Sequence, residues 1–210
     1  MSHLHIPDGV LPWWLIVAGW AVLIVWVGII CRIYRGSASR RVARIGVVSA
    51  FMLIAMSLEI VPLAYHFNLS IIAGALLGCA LSPVAAVIVV TFLALMGHGG
   101  VTVIGLNALV LSCELCLGSL LFRVLRGSAT GPGRCGVAGT LAVLITLPIT
   151  TAATLGLTAL GMDVGNLPRV IVTLGPIGWA AEAALTGLTL SWIARVRPSL
   201  LDRKHRRTGA

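Results

Sequence analysis

Residues 12–31 read PWWLIVAGWAVLIVWVGIIC and run directly into Arg32 and Arg35. A helix needs about 20 apolar residues to cross about 30 Å of hydrocarbon, and this stretch has that length without a charge. Trp13 and Trp14 stand where an interfacial aromatic pair belongs, and the arginines stand at the other end. The stretch does not read as a cleavable signal peptide, which needs a positive n-region. Here His3, His5 and Asp8 come first, with no Lys or Arg before Arg32.

The same pattern recurs outward from this span. Apolar runs occur at 12–31, 42–62, 69–81, 84–97, 102–122, 136–160 and 169–194. They predict an all-α integral membrane protein of about seven transmembrane helices in a single domain over residues 1–210. Residues 1–11 form an outer arm, and 195–210 form a basic tail. The third and fourth runs are short. They read either as two short helices hinged at Ser82-Pro83 or as a re-entrant pair buried in protein. Composition agrees: 59% of residues are hydrophobic and 10% charged, and mean hydropathy is +1.06. Soluble domains carry about 25% charged residues.

The net charge of +9 raises the question of nucleic acid, but its distribution argues for a membrane. The arginines cluster at 32–44, 123–134 and 195–207, with no interleaved aromatic platform. Of 15 Lys and Arg, all but Arg169 fall on one side if the N-terminus is outside and the C-terminus cytoplasmic. The positive-inside rule selects that orientation. The expected localisation is therefore the cell (inner or plasma) membrane, crossed several times.

The orientation gathers histidines that took no part in choosing it. His3 and His5 lie in the arm, His66 in the second outer loop and His98 in the next. Only His205 is cytoplasmic, within the basic tail. Neutral imidazoles suit Ni, Co, Cu and Zn. Near a chain terminus, the amine of Met1 (or of Ser2 after Met1 removal), amide nitrogens and His3 can close fused chelate rings around one ion. The competing reading makes these histidines ordinary loop residues and helix caps. Asp8-Gly9 after Pro7 signals a turn that folds the arm back before Pro12 opens the helix. Gly97-His98-Gly99-Gly100 is a loop that lets another segment approach closely.

Asn107, Glu114 and Glu182 lie inside spans, where an acid must face protein or water. They read either as an intramembrane polar path or as hydrogen-bonded structural groups. Glu59 is ambiguous in the same way. Cys31, Cys79, Cys113, Cys116 and Cys135 form no disulfide framework. Cys113 and Cys116 read as small core residues. No GxxxxGK[ST] loop, Ser/His/Asp arrangement or HExxH motif is present, so the chain does not read as an enzyme, and ATP-driven work would need another chain.

Three blocks carry a resemblance. His5-Ile-Pro-Asp-Gly9 with Leu11-Pro12-Trp13 is the first. His66-Phe-Asn-Leu-Ser70 with Gly74 and Gly78-Cys-Ala-Leu-Ser-Pro83 is the second, and Gly97-His-Gly-Gly-Val-Thr-Val-Ile-Gly-Leu-Asn-Ala108 is the third. Together they resemble the substrate-binding (S) component, the permease, of energy-coupling-factor nickel/cobalt transporters (the CbiM/NikM family). The resemblance implies a seven-helix component with an inserted N-terminal arm. It implies Co²⁺ or Ni²⁺ as transported substrate, with no catalytic cofactor, and metal held by the terminal amine, the nitrogen and imidazole of the histidine before Ile-Pro, and a loop histidine. By position those histidines are His5 and His66. The family has Met directly before the first histidine, whereas here Met1-Ser-His-Leu precedes His5, so His3 competes for the chelating role. His98, Asn107 and Asp8 are expected around the ligands. The implied partners are a transmembrane coupling (T) component, two cytoplasmic ATPase subunits and, in some systems, a small accessory membrane protein. The product would feed cobalamin synthesis or nickel enzymes. An alternative function is a self-contained secondary metal-cation transporter using Glu114 or Glu182 as a proton relay.

Overall fold

The chain was described by a computed structural model covering residues 5–34, 38–57, 59–60 and 65–201. Among these residues the regular structure is helical apart from one two-residue ladder. The helices are α1 (Trp13–Ile33), α2 (Ala38–Ser57), α3 (Ser70–Leu77), α4 (Ser82–Leu95), α5 (Ile104–Arg126), α6 (Pro132–Ala159) and α7 (Leu167–Val196). Between α2 and α3, β1 (Glu59–Ile60) pairs antiparallel with β2 (Tyr65–His66), placing the backbone of Glu59 opposite His66.

Prolines and glycines set the boundaries. Pro12 caps α1, while Pro83, Pro132 and Pro168 occupy the first turns of α4, α6 and α7. There the missing N–H costs nothing, because the helix has no acceptor for it. α5 ends on Gly127, whose φ of 62° only glycine adopts readily.

Helices α1, α5, α6 and α7 are long and apolar enough to cross a membrane. α3 and α4 are not. Their 8 and 14 residues extend about 12 and 21 Å at about 1.5 Å per residue. The break between them falls at Gly78, with φ 73°, and not at Ser82-Pro83 as expected, because proline there starts α4 and glycine is the residue that tolerates a left-handed helix end. All of α3 but Leu76 is buried. It lies against α5, where Gly74 meets the Leu115 carbonyl and Gly118 leaves room for Ile71. A broken backbone at membrane depth is tolerated only inside protein. Here the Gly78 carbonyl accepts the Ser82 hydroxyl at 2.9 Å and the Cys79 carbonyl the Cys116 thiol at 3.3 Å. Cys116 is buried as expected, but Cys113 is exposed, since three residues turn a helix by about 300°.

Two apolar cores flank α5. One packs Met52, Val89 and Leu111 among α2, α4 and α5. The other packs Phe122, Leu147 and Leu190 among α3, α6 and α7. The outer surface carries Ile24, Val25, Val124, Leu188 and Trp192 in the open, an apolar perimeter that water would not tolerate but hydrocarbon matches.

Basic residues collect at one end. Arg41 stacks 4.5 Å from the Tyr34 ring across the α1–α2 turn, and Arg126 at the foot of α5 donates to the Leu201 carbonyl at 3.3 Å. Arg32, Arg123 and Arg195 lie in the last turns of α1, α5 and α7.

Candidate metal centre

At the opposite end three histidine-bearing segments meet. The arm lies over the loop between α4 and α5, and its backbone is held by that loop and by the first turn of α5. The Ile6 N–H donates to Asn107 Oδ1 and Asn107 Nδ2 returns a bond to the Ile6 carbonyl, each at 3.1 Å. The Gly100 N–H donates to the same carbonyl at 3.1 Å. This reciprocal pairing makes Asn107 act like a strand edge for one residue. The Ile6 side chain is fully buried with Leu11, Val103 and Leu106.

Asp8 closes the arm down. Its carboxylate accepts the Val101 N–H at 2.9 Å and the Thr102 N–H at 2.8 Å, and the Thr102 hydroxyl also donates to it. These bonds, the Thr102 hydroxyl first and Val101 next, hold the Asp8 carboxyl below the usual carboxylate range. Gly9 turns the chain with φ 80°. A side chain at position 100 would run into Asp8, and one at Gly161, after α6, into the Val10 carbonyl. α1 is tied to the same loop, because Trp20 Nε1 donates to the Thr102 carbonyl at 2.9 Å.

The arm brings His5 against this loop, where a Cβ on Gly99 would stand 3.0 Å from His5 Cβ. Next to Gly99, the His98 ring meets the His66 ring edge-on, with centroids 5.6 Å apart and planes at 87°. His98 Nδ1 is buried and has no hydrogen-bond partner among the described residues. The His98 backbone N–H caps α4 by donating to the Leu93 carbonyl at 2.8 Å.

His66 is held from below. The Asn68 and Leu69 N–H groups donate to Glu182 Oε2 and Oε1 at 3.2 and 2.9 Å. The Asn68 side chain donates to Glu114 Oε1, and the Thr150 hydroxyl donates to Glu114 Oε2 at 2.8 Å. Both glutamates are fully buried. Glu114 and Asn107 share a helix, but one serves the His66 loop and the other the arm. Asn68, Thr102 and Thr150 were not singled out in the sequence. Only the run of the resemblance through Asn68 and Thr102 pointed toward the first two.

Among the described residues, no three of His, Cys, Asp and Glu stand together as a finished ligand group. Met1, Ser2 and His3 lie outside the described residues.

The family model for the cobalt uptake substrate-specific transmembrane region, CbiM, matches residues 5–200. The chain belongs to the CbiM family. It is accordingly a multi-pass membrane protein of cobalt uptake, and the match begins on His5, the first described residue of the arm. No curated protein matches the chain significantly. As a CbiM protein it belongs to a family of transporters, and no nucleotide-binding loop is found in its sequence.

Proposed function

We propose that this protein is the substrate-binding component of an ATP-driven, energy-coupling-factor uptake system, and that it captures Co²⁺ or Ni²⁺ at the outer face. The observation that carries the reading is the meeting of His66 and His98 rings beside the arm that bears His5. Imidazole and backbone nitrogen suit either ion. His5 and His66 act as ligands, His98 stands beside them, and Asn107 and Asp8 set the arm. Residues before His5, His3 among them, supply the remaining nitrogen. The arginine clusters face the cytoplasm, by the same charge rule that reads the sequence. Energy comes from two ATPase subunits through a transmembrane coupling protein, with a small accessory membrane protein in some assemblies.

The secondary-transporter alternative needs Glu114 or Glu182 to exchange protons. Their bonds to Asn68, Leu69 and Thr150 support a holding role instead. Uptake of cobalt into vesicles is the test. Accumulation that requires the coupling and ATPase chains supports the reading, and accumulation by this chain alone, driven by a pH gradient, overturns it.

A further inference from the structure

Leu69 is the sole non-glycine residue with positive φ among the described residues, at φ 52° and ψ 22°. Leucine has no polar side chain to compensate that conformation, as Asn or Asp would. It is buried, it directly precedes α3, and no side chain of its own segment caps that helix. A left-handed leucine persists only where its surroundings over-determine it, and such residues collect at functional sites. What determines this one comes from far along the chain: Glu182 takes the N–H of Leu69 on one oxygen and that of Asn68 on the other.

We infer that Glu182 is a positioning residue for the metal site: it clamps the left-handed turn at Asn68-Leu69 and thereby fixes the direction in which His66 is presented. Glu114 secures the same turn through the Asn68 side chain. This rests on reading His66 as a ligand. The carboxylate is also at the right pole, because anionic oxygens at the start of a helix are favoured by its dipole. Outer partners that orient a ligand are part of a metal site's affinity, although they never touch the ion. The clamp assigns the buried acids a fixed task, since a carboxylate that already accepts two backbone bonds is held by the loop it holds.

The test uses the purified full chain in nanodiscs with Co²⁺ and Ni²⁺ as probes, reading affinity and the ligand-field absorption of the bound ion. Glu182→Ala is expected to weaken binding roughly 10- to 100-fold and to shift the absorption bands, because His66 loses its fixed direction. Glu182→Gln should fall between, since its amide offers one acceptor oxygen for two N–H groups. Adding Leu69→Gly to Glu182→Ala should recover part of the affinity, because glycine adopts the turn without a clamp. A purely structural acid predicts no such rescue, and restored thermal stability without restored affinity would overturn the inference. Wild-type affinity and absorption in Glu182→Gln and Glu182→Ala would overturn it too. If Glu182→Ala does not fold, the folded Gln variant decides alone. His66→Ala is the separate control: full metal retention there, or no metal in wild type, fails the reading of the site and not the clamp.

Discussion

The arm and the His66 loop bring histidines to one place, but they are held in opposite ways. The arm is fastened at a wet rim: Asp8 is exposed, and its partners Val101 and Thr102 are exposed as well. The loop is fastened in the interior, on two carboxylates with no solvent exposure. A bond at the rim competes with water, whereas a buried one does not, and its loss leaves charge stranded. The difference teaches that the loop's fastening is wholly shielded from water, whereas part of the arm's is not. Asn107 lies between these extremes, buried but neutral.

The comparison can be broken by removing its shielded half. His66→Ala should abolish stoichiometric cobalt in purified protein while the helical signal stays intact. Retention of a full equivalent would show that the arm and His98 suffice. Removing the buried part of the arm's attachment comes next. Asn107→Leu strands the Ile6 N–H, a cost of about 1–3 kcal/mol, or roughly five- to 150-fold in metal affinity if arm docking is required. Calorimetric titration would read it, and an unchanged affinity would mean the arm binds metal without docking.

His98→Ala should weaken binding only partly. Complete loss, with normal folding, would make His98 a ligand on the strength of its buried Nδ1. The same titration sorts His5→Ala from His3→Ala: the larger loss should come from His5, where the family match begins.

The smallest effect is expected from Asp8→Asn, and pH separates it from the rest. The folded Asp8 carboxyl lies below its ordinary value. Its contribution is therefore present above the unfolded value, near 3.9, and is lost only as pH falls through the still lower folded one. Imidazoles titrate near 6.5 and must be neutral to bind metal. Between about pH 5 and 7, then, affinity should fall with acidification equally in wild type and Asp8→Asn. A profile that flattens in the Asp8 variant would put the arm's clamp, and not the histidines, in control of that window.

Much of this contrast was legible in the sequence on the arm's side and little of it on the loop's. The Pro7-Asp8-Gly9 turn, the glycines around His98 and the apolar runs are local signals: the turn and the loop formed where expected, and four of the seven runs became helices long and apolar enough to cross a membrane. The gathering of His5, His66 and His98 followed from counting arginines. What could not be read was the partner of each buried acid. Glu182 meets Leu69 across 113 positions and Glu114 meets Asn68 across 46, and no periodicity encodes a pairing at that range. The short third run left a hinge and a re-entrant pair both open. The burial of Ser70–Leu77 is a property of what surrounds it, above all α5, and not of the run itself. The left-handed Leu69 had no signal at all, since leucine is the last residue from which such a turn would be inferred.

That long-range pairing has a consequence for how the molecule is made. Helices enter the bilayer in the order they leave the ribosome, and α3, at 8 residues, is too short to enter alone. Its bed on α5 is synthesised soon after, but the carboxylate that takes the Asn68 and Leu69 N–H groups belongs to α7, the last of these seven in chain order. Until then those two groups have no Glu182 to receive them. The final bonding of the loop that follows His66 therefore waits on α7. A chain stopped before α7 would carry His5, His66 and His98 and still lack the carboxylate that receives the Asn68 and Leu69 N–H groups beside one of them.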